Sequence, residues 1–227
     1  HWRDWSSDVC SSDLTRHHYP LRLMRRLWCN GLLLSIFFAS GLACAESYVV
    51  VCYNWGCLNR ASAVYSDAWL KKTLAPLRQA KTPAEERAAT AEVVRQLYVK
   101  AAEQTPISAD EPGNEEDERV NGRMDCIDHS TTTANMLSLL QKKRVLRWHE
   151  VGPYAHRTLL VASHYSATLI ETGDPADDDS QVYTIDPWDE ALGSLPPVAP
   201  VREWAAYRFY TLEQQHHMTA ASSLAGR

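Results

Sequence analysis

The sequence is short of several things. It carries only 9 glycines in 227 residues, so no collagen-like repeat is written in it. No Gly-x-Gly-x-x-Gly or Gly-x4-Gly-Lys-[Ser/Thr] run occurs, and with them goes the usual backbone cradle for nucleotide phosphates. Basic residues are in deficit, 23 Lys+Arg against 28 Asp+Glu for a net charge of −5. Nucleic acid calls for a clustered basic face, which this balance does not supply. The one notable apolar run, Gly31–Leu42, falls short of the roughly 18–20 residues that span a bilayer. What is present is an ordinary globular composition, 45% hydrophobic and 22% charged.

Residues 1–14 (HWRDWSSDVCSSDL) have neither helical nor strand period and resemble a translated sequencing adapter. Residues 1–23 are therefore read as a non-native leader. From Met24 the chain has the form of a signal peptide: Arg25-Arg26, the apolar run, then Ala43-Cys44-Ala45 as a small–x–small cleavage site. This predicts a periplasmic or secreted protein without a membrane span once cleaved near Ala45. A single domain over residues 46–215 and a flexible tail at 216–227 are expected.

Of the six cysteines, Cys10, Cys29 and Cys44 precede the expected cleavage site, and Cys52, Cys57 and Cys126 follow it. In an oxidising compartment the simplest partition is a Cys52–Cys57 disulfide and a free Cys126. No complete metal-ligand set and no cofactor motif is apparent.

The periodicity predicts a strand over Tyr48–Tyr53 and a helix over Ser62–Leu77 with Val64, Ala68 and Trp69 on one face. A second helix is announced by Thr82-Pro83-Ala84-Glu85, a capping box with proline at the first helical position. It runs to Glu103 with Ala91, Val94, Leu97, Tyr98 and Ala101 on its inner face. Thr105–Met124 reads as a polar loop whose acidic run (Asp110, Glu111, Glu115, Glu116, Asp117, Glu118) is solvated. Cys126–Lys143 is helical in pattern, with Ile127, Ala134, Leu137 and Leu140 buried. Arg144–Val151, Arg157–Glu171 and Gln181–Asp186 read as strands, the last two joined across Thr172–Ser180.

Cys126 stands where a helix begins, and unpaired N–H groups there favour a thiolate. A cysteine nucleophile needs a base, and the base an orienting acid. His164 and Asp186 lie on successive strand-like segments that meet if they form a hairpin. His129, three residues along the helix from Cys126, is an alternative base. The backbone N–H of Cys126 is a natural oxyanion donor, with Asn121, Asn54 and Trp55 as candidates for a second.

The order of Cys126 opening a helix, His164-Tyr165-Ser166-Ala167-Thr168-Leu169-Ile170-Glu171 on one strand and Ile185-Asp186-Pro187-Trp188 ending the next resembles the transglutaminase-like, papain-like cysteine peptidase superfamily. Residues Gly122–Trp148 are also similar to a group of exported proteobacterial proteins near that superfamily. The resemblance covers about Gly122–Trp204. It implies an α+β fold with N-terminal helices packed on an antiparallel sheet and the nucleophile at a helix N-terminus. It further implies a Cys126–His164–Asp186 triad acting on a peptide or protein amide, by hydrolysis or acyl transfer. Cell-wall peptides are a substrate suggested by location alone. Tyr165 and the pair Met124-Asp125 differ from the family pattern, and a carboxylate beside the thiol raises its pKa. The rival expectation is therefore an inactive domain of the same fold that binds a partner in the cell envelope.

Overall fold

The computed structural model describes residues 46–113, 119–159, 162–173 and 181–206. The expected leader and signal peptide, Glu115–Glu118 of the acidic run, most of the Thr172–Ser180 turn and the tail lie outside these.

The described residues begin with a hairpin. Strand β1 (Glu46–Tyr53) pairs antiparallel with β2 (Asn59–Ser66), Val49 opposite Ala63 and Val51 opposite Ala61. This corrects the expected helix over Ser62–Leu77, whose first five residues are strand. The Cys52–Cys57 disulfide closes the turn, and β2 alternates along its length, with Ala63 and Tyr65 buried and Val64 outward. Tertiary pairing thus overrides a local pattern rich in small residues. The helix begins only where Ser66 accepts the Trp69 N–H as its N-cap. It is split into α1 (Asp67–Thr73) and α2 (Ala75–Gln79).

The long helix α3 (Pro83–Ala102) starts as its sequence requires. Thr82 accepts the Glu85 N–H, and Pro83 occupies the first position, where a missing donor costs nothing. Its predicted inner face is buried throughout. A 3-10 turn (Pro106–Ala109) follows, and then α4 (Cys126–Lys142). Leu137 and Leu140 are completely buried as expected; Ile127 is 41% exposed and Ala134 only partly covered. The first turn of α4 meets a loop rather than the core, so the apolar period begins one turn later.

The remaining strands are β3 (His149–Val151), β4 (Ala155–Leu159), β5 (Ala162–Glu171), β6 (Val182–Ile185) and β7 (Val198–Pro200). The expected strands Arg144–Val151 and Arg157–Glu171 are corrected: only the end of the first is extended, and the second is divided into β4 and β5. The order is β3-β5-β6-β7, all antiparallel, and β4 pairs with the first half of β5. The expected hairpin across 172–180 is present as the β5–β6 pair. Helix α5 (Val201–Ala206) ends the described chain. Among the described residues the fold is α+β with two antiparallel sheets rather than one.

A continuous core joins the layers. Val49, Val51 and Tyr65 from the hairpin, Val94 and Leu97 from α3, Met136, Leu137 and Leu140 from α4, and Leu169 and Ile185 from the large sheet all belong to it. Glu86, fully buried on α3, ties helix to sheet by accepting the Arg147 and Trp148 N–H groups at 2.7 and 3.0 Å and lying 2.9 Å from His149 Nδ1. No helix among the described residues is long and apolar enough to cross a membrane.

The approach to α4 is tightly built. Gly122 has φ of +100°, and a Cβ there would lie 1.9 Å from the Pro106 carbonyl oxygen. Gly122→Ala combines an unfavourable φ with a backbone clash. Urea unfolding is expected to show a loss of about 2 kcal/mol or more.

Candidate active site

Cys126 is the first residue of α4 and Asp125 its N-cap. Asp125 accepts the Asp128 N–H at 2.8 Å, and Asp128 accepts the Asp125 N–H at 3.2 Å, a reciprocal capping box. The same two carboxylates reach out of the helix. Asp128 accepts the Trp55 and Cys57 N–H groups at 2.7 and 2.6 Å, and Asp125 accepts the Gly56 N–H at 3.0 Å.

Those donors come from an unusual turn. Asn54, Trp55, Gly56 and Cys57 have φ of 66°, 66°, 65° and 60° in succession. The left-handed region costs a residue with a Cβ roughly 1–2 kcal/mol, and three of the four have one. The Cys52–Cys57 disulfide, found as expected, closes this segment. Successive left-handed residues turn their N–H groups to one side, and these N–H groups meet the carboxylates.

Burial pushes the Asp128 carboxyl up, the neighbouring Asp125 charge adds to the rise, and backbone donors oppose it, leaving it at about 6. Folding therefore favours the protonated form. That stability is fully present below the unfolded value near 4 and is lost as pH rises through 6.

Cys126 is the free cysteine of the described chain and is half-buried. Its sulfur lies 3.7 Å from the Ser163 carbonyl oxygen, toward which the thiol donates, and the Tyr165 N–H is directed at it. Ser163 and Tyr165 flank His164, so the sulfur rests against the backbone at that residue. Burial raises the thiol pKa, the Tyr165 N–H lowers it, and the charges of Asp125 and Asp186 raise it further. The net shift is upward, against the expectation from the helix terminus alone. Capping the helix does not remove the effect of Asp125.

The β5–β6 register decides the rest. Ala167 is opposite Ile185 and Thr168 opposite Thr184. Continued by one residue, it places Asp186 on the face of Ser166 and His164. His164 Nε2 is 2.7 Å from Asp186 Oδ2. His164 is 3% exposed, and its Nδ1 is buried without a hydrogen-bond partner among the described residues. Two tryptophan rings pack on the imidazole, Trp188 at 4.7 Å and Trp204 at 5.5 Å between centroids.

Two members of the site were not foreseen. Trp204 donates its indole N–H to Asp186 Oδ2 at 2.7 Å, the oxygen that also meets His164. Arg157, opposite His164 across β4 and β5, stacks on Trp204 at 4.4 Å and donates to its carbonyl at 2.7 Å. Burial raises the Asp186 pKa, but the hydrogen bond and charge of His164, the Trp204 bond and the Arg157 charge outweigh it, and the net shift is downward. Tryptophan at a helix turn reads as core filler in the sequence, and no local signal distinguishes this one. Beside Asp186 and Trp204 lies a groove of about 370 Å³, also lined by Asp189, Glu190 and Glu203.

The other predicted residues fall elsewhere. His129 Nε2 is 3.0 Å from Asp110 Oδ2, with both side chains about 5% exposed or less. His129 thus has the acid partner that the sequence did not suggest, and it lines a small cavity with Tyr98 and Glu190. Asp110, expected in solvent, is buried by this pairing and accepts the Met124 N–H at 2.8 Å. Asn54 spends its amide on Asn59 and Asn121 oxygens at 2.8 and 3.0 Å. Neither it nor the Trp55 backbone N–H is left for a substrate oxygen. Asn121 is exposed and takes part through its carbonyl. The Trp55 indole N–H is buried without a hydrogen-bond partner among the described residues. Cys52, Cys57 and Asp128 cluster closely enough to suggest a metal set, but the two sulfurs are joined to each other.

Two substitutions test these electrostatics. As pH rises from 4 to 7, the wild type is expected to lose on the order of 2 kcal/mol relative to Asp128→Asn, read from urea midpoints of both proteins across that range. Trp204→Phe keeps a ring but removes the donor to Asp186, costing about 1–2 kcal/mol at pH 7. The deficit should shrink as pH falls and Asp186 protonates, because a carboxyl held low contributes its stability only while ionised.

No family model matches this chain, and no curated protein or solved structure matches it.

Proposed function

We propose that the protein is an exported cysteine-dependent amide hydrolase of the transglutaminase-like type, with Cys126 as nucleophile, His164 as base and Asp186 as orienting acid. The observation that carries this reading is the division of labour at His164. Asp186 occupies Nε2, while Nδ1 is buried without a partner among the described residues, on the residue between Ser163 and Tyr165, whose carbonyl and N–H meet the Cys126 sulfur. A buried ring nitrogen without a partner is costly unless it serves a function.

The chemistry follows from these positions. His164 takes the thiol proton at Nδ1 as Cys126 Sγ bonds to the substrate carbonyl carbon. The oxyanion formed is met by the Cys126 backbone N–H at the start of α4. The proton then passes from His164 to the leaving amine, the C–N bond breaks and a thioester remains. Water, deprotonated by His164, releases the acid and restores the thiol. An amine in place of water would give transamidation. Asp186 stabilises the imidazolium formed in each half-reaction, and Trp204 and Arg157 keep Asp186 ionised to do so.

Because burial and the neighbouring carboxylates hold the thiol above its ordinary pKa, Cys126 rests as a neutral thiol. This same feature favours the second reading, an inactive binding domain of the same fold. The two separate cleanly. Iodoacetamide alkylation of Cys126 should keep climbing above pH 9 instead of levelling near neutrality. Hydrolysis of a peptide-amide library should fall about 10³-fold or more in Cys126→Ala and His164→Ala. Asp186→Asn should lose less than either, since it orients and does not itself react. An unmodified library with all four proteins, alongside retained partner binding in Cys126→Ala, would establish the inactive domain instead.

A further inference from the structure

We infer that Cys57 is a thiol–disulfide exchange site for an external dithiol, and that exchange there releases the left-handed turn from the α4 N-terminus that carries Cys126. The inference does not depend on Cys126 being a nucleophile.

Four observations converge on this bridge. Its two residues differ in exposure: Cys52 is 1% exposed, whereas Cys57 is half-buried. Exchange requires in-line attack by a thiolate, so the residue that reaches the surface is the one open to attack. The Arg60 guanidinium, on an exposed residue, lies 3.2 Å from Cys57 Sγ. A fixed cation there attracts the incoming thiolate and stabilises the thiolate that Cys57 becomes. The bridge spans four consecutive residues at positive φ, three of them with a Cβ. This conformation persists only while its surroundings over-determine it. Finally, the N–H groups of Trp55, Gly56 and Cys57 in that turn hold Asp125 and Asp128 on either side of Cys126.

The step balances without a further reactant. A thiolate of the external dithiol attacks Cys57 Sγ, forming a mixed disulfide and expelling Cys52 as a thiolate, which takes up a proton. The second thiol of the reagent, once deprotonated, attacks the reagent's own sulfur in the mixed disulfide and expels the Cys57 thiolate. The dithiol ends as a disulfide and the chain gains two thiols. Freed from the bridge, residues 54–57 relax toward negative φ and their N–H groups leave the carboxylates. Asp125 and Asp128 then face one another with fewer donors, and the environment of the Cys126 sulfur changes.

The test uses the full, folded, oxidised chain with dithiothreitol as the dithiol. Amide hydrogen exchange and differential alkylation are followed by mass spectrometry. The expected result is reduction under native conditions while amides of Leu137 and Leu169 stay protected. Exchange at Trp55, Gly56 and Cys57 should rise at least tenfold, and the alkylation rate of Cys126 should change at least threefold. With glutathione as a monothiol trap, the adduct should be on Cys57, and Arg60→Gln should slow reduction about threefold. Reduction only on global unfolding would overturn the proposal. So would unchanged protection at residues 55–57, an adduct on Cys52, or an unaltered rate in Arg60→Gln. None of these readouts requires amide hydrolysis, so their failure is distinct from failure of the enzymatic reading.

Discussion

The organisation of this protein depends on two carboxylates at one helix end. Asp125 and Asp128 form the reciprocal cap of α4, each accepting the other's N–H, and simultaneously accept three N–H groups from the Trp55–Cys57 turn. A helix N-terminus carries a partial positive charge that favours such anions. Here the charge lies between two sets of donors, one from the helix and one from the hairpin turn. The arrangement joins the N-terminal hairpin to the central helix through polar contacts and fixes Cys126 between them. It has a cost: burial, with the nearby Asp125 charge adding to it, pushes the Asp128 carboxyl up. Burial and the same charge raise the neighbouring thiol. Anchoring and reactivity therefore oppose each other at this helix end.

The other half of the site is organised by strand register. On antiparallel strands, residues sharing a face are set by pairing alone. The β5–β6 pairing puts His164 and Asp186 on one face, and the β4–β5 pairing adds Arg157. Trp204 closes the set from α5, donating to Asp186 while its ring rests on His164 and under Arg157. The consequence is an acid kept ionised by several independent partners. His164 is held in one orientation by that acid and by two indoles. Such a shell restricts the imidazole to one orientation, with one nitrogen committed to the acid and the other turned away from it.

A good part of this was legible beforehand. The capping sequence Thr82–Glu85 marks the start of α3 to the residue because proline and a hydroxyl N-cap act locally. The Cys52–Cys57 pairing follows from counting. The β5–β6 hairpin follows from two β-rich runs flanking a turn-forming segment. The misses have a common cause. The small residues of Ser62–Ser66 fit either period, and only pairing with β1 selects the strand. The spacing of Ile127 matches an inner face, yet the first turn of α4 faces a loop. An acidic run gives no sign that one member, Asp110, meets a buried histidine.

By itself, the sequence determined the element types wherever the signal is local: the caps, the short disulfide loop, the alternation of β-rich segments and the position of Cys126 at a helix start. These depend on residues within a turn or two of one another. Tertiary structure alone decided what those elements do together. Register brought His164 to Asp186, α5 brought Trp204 to both, and the left-handed turn brought three backbone donors to the carboxylates beside the thiol. Each of these contacts joins residues from separate elements, and each depends on a relative placement of whole strands and helices. Local propensity is silent on such placements because they are set by burial of the shared core and by pairing between elements.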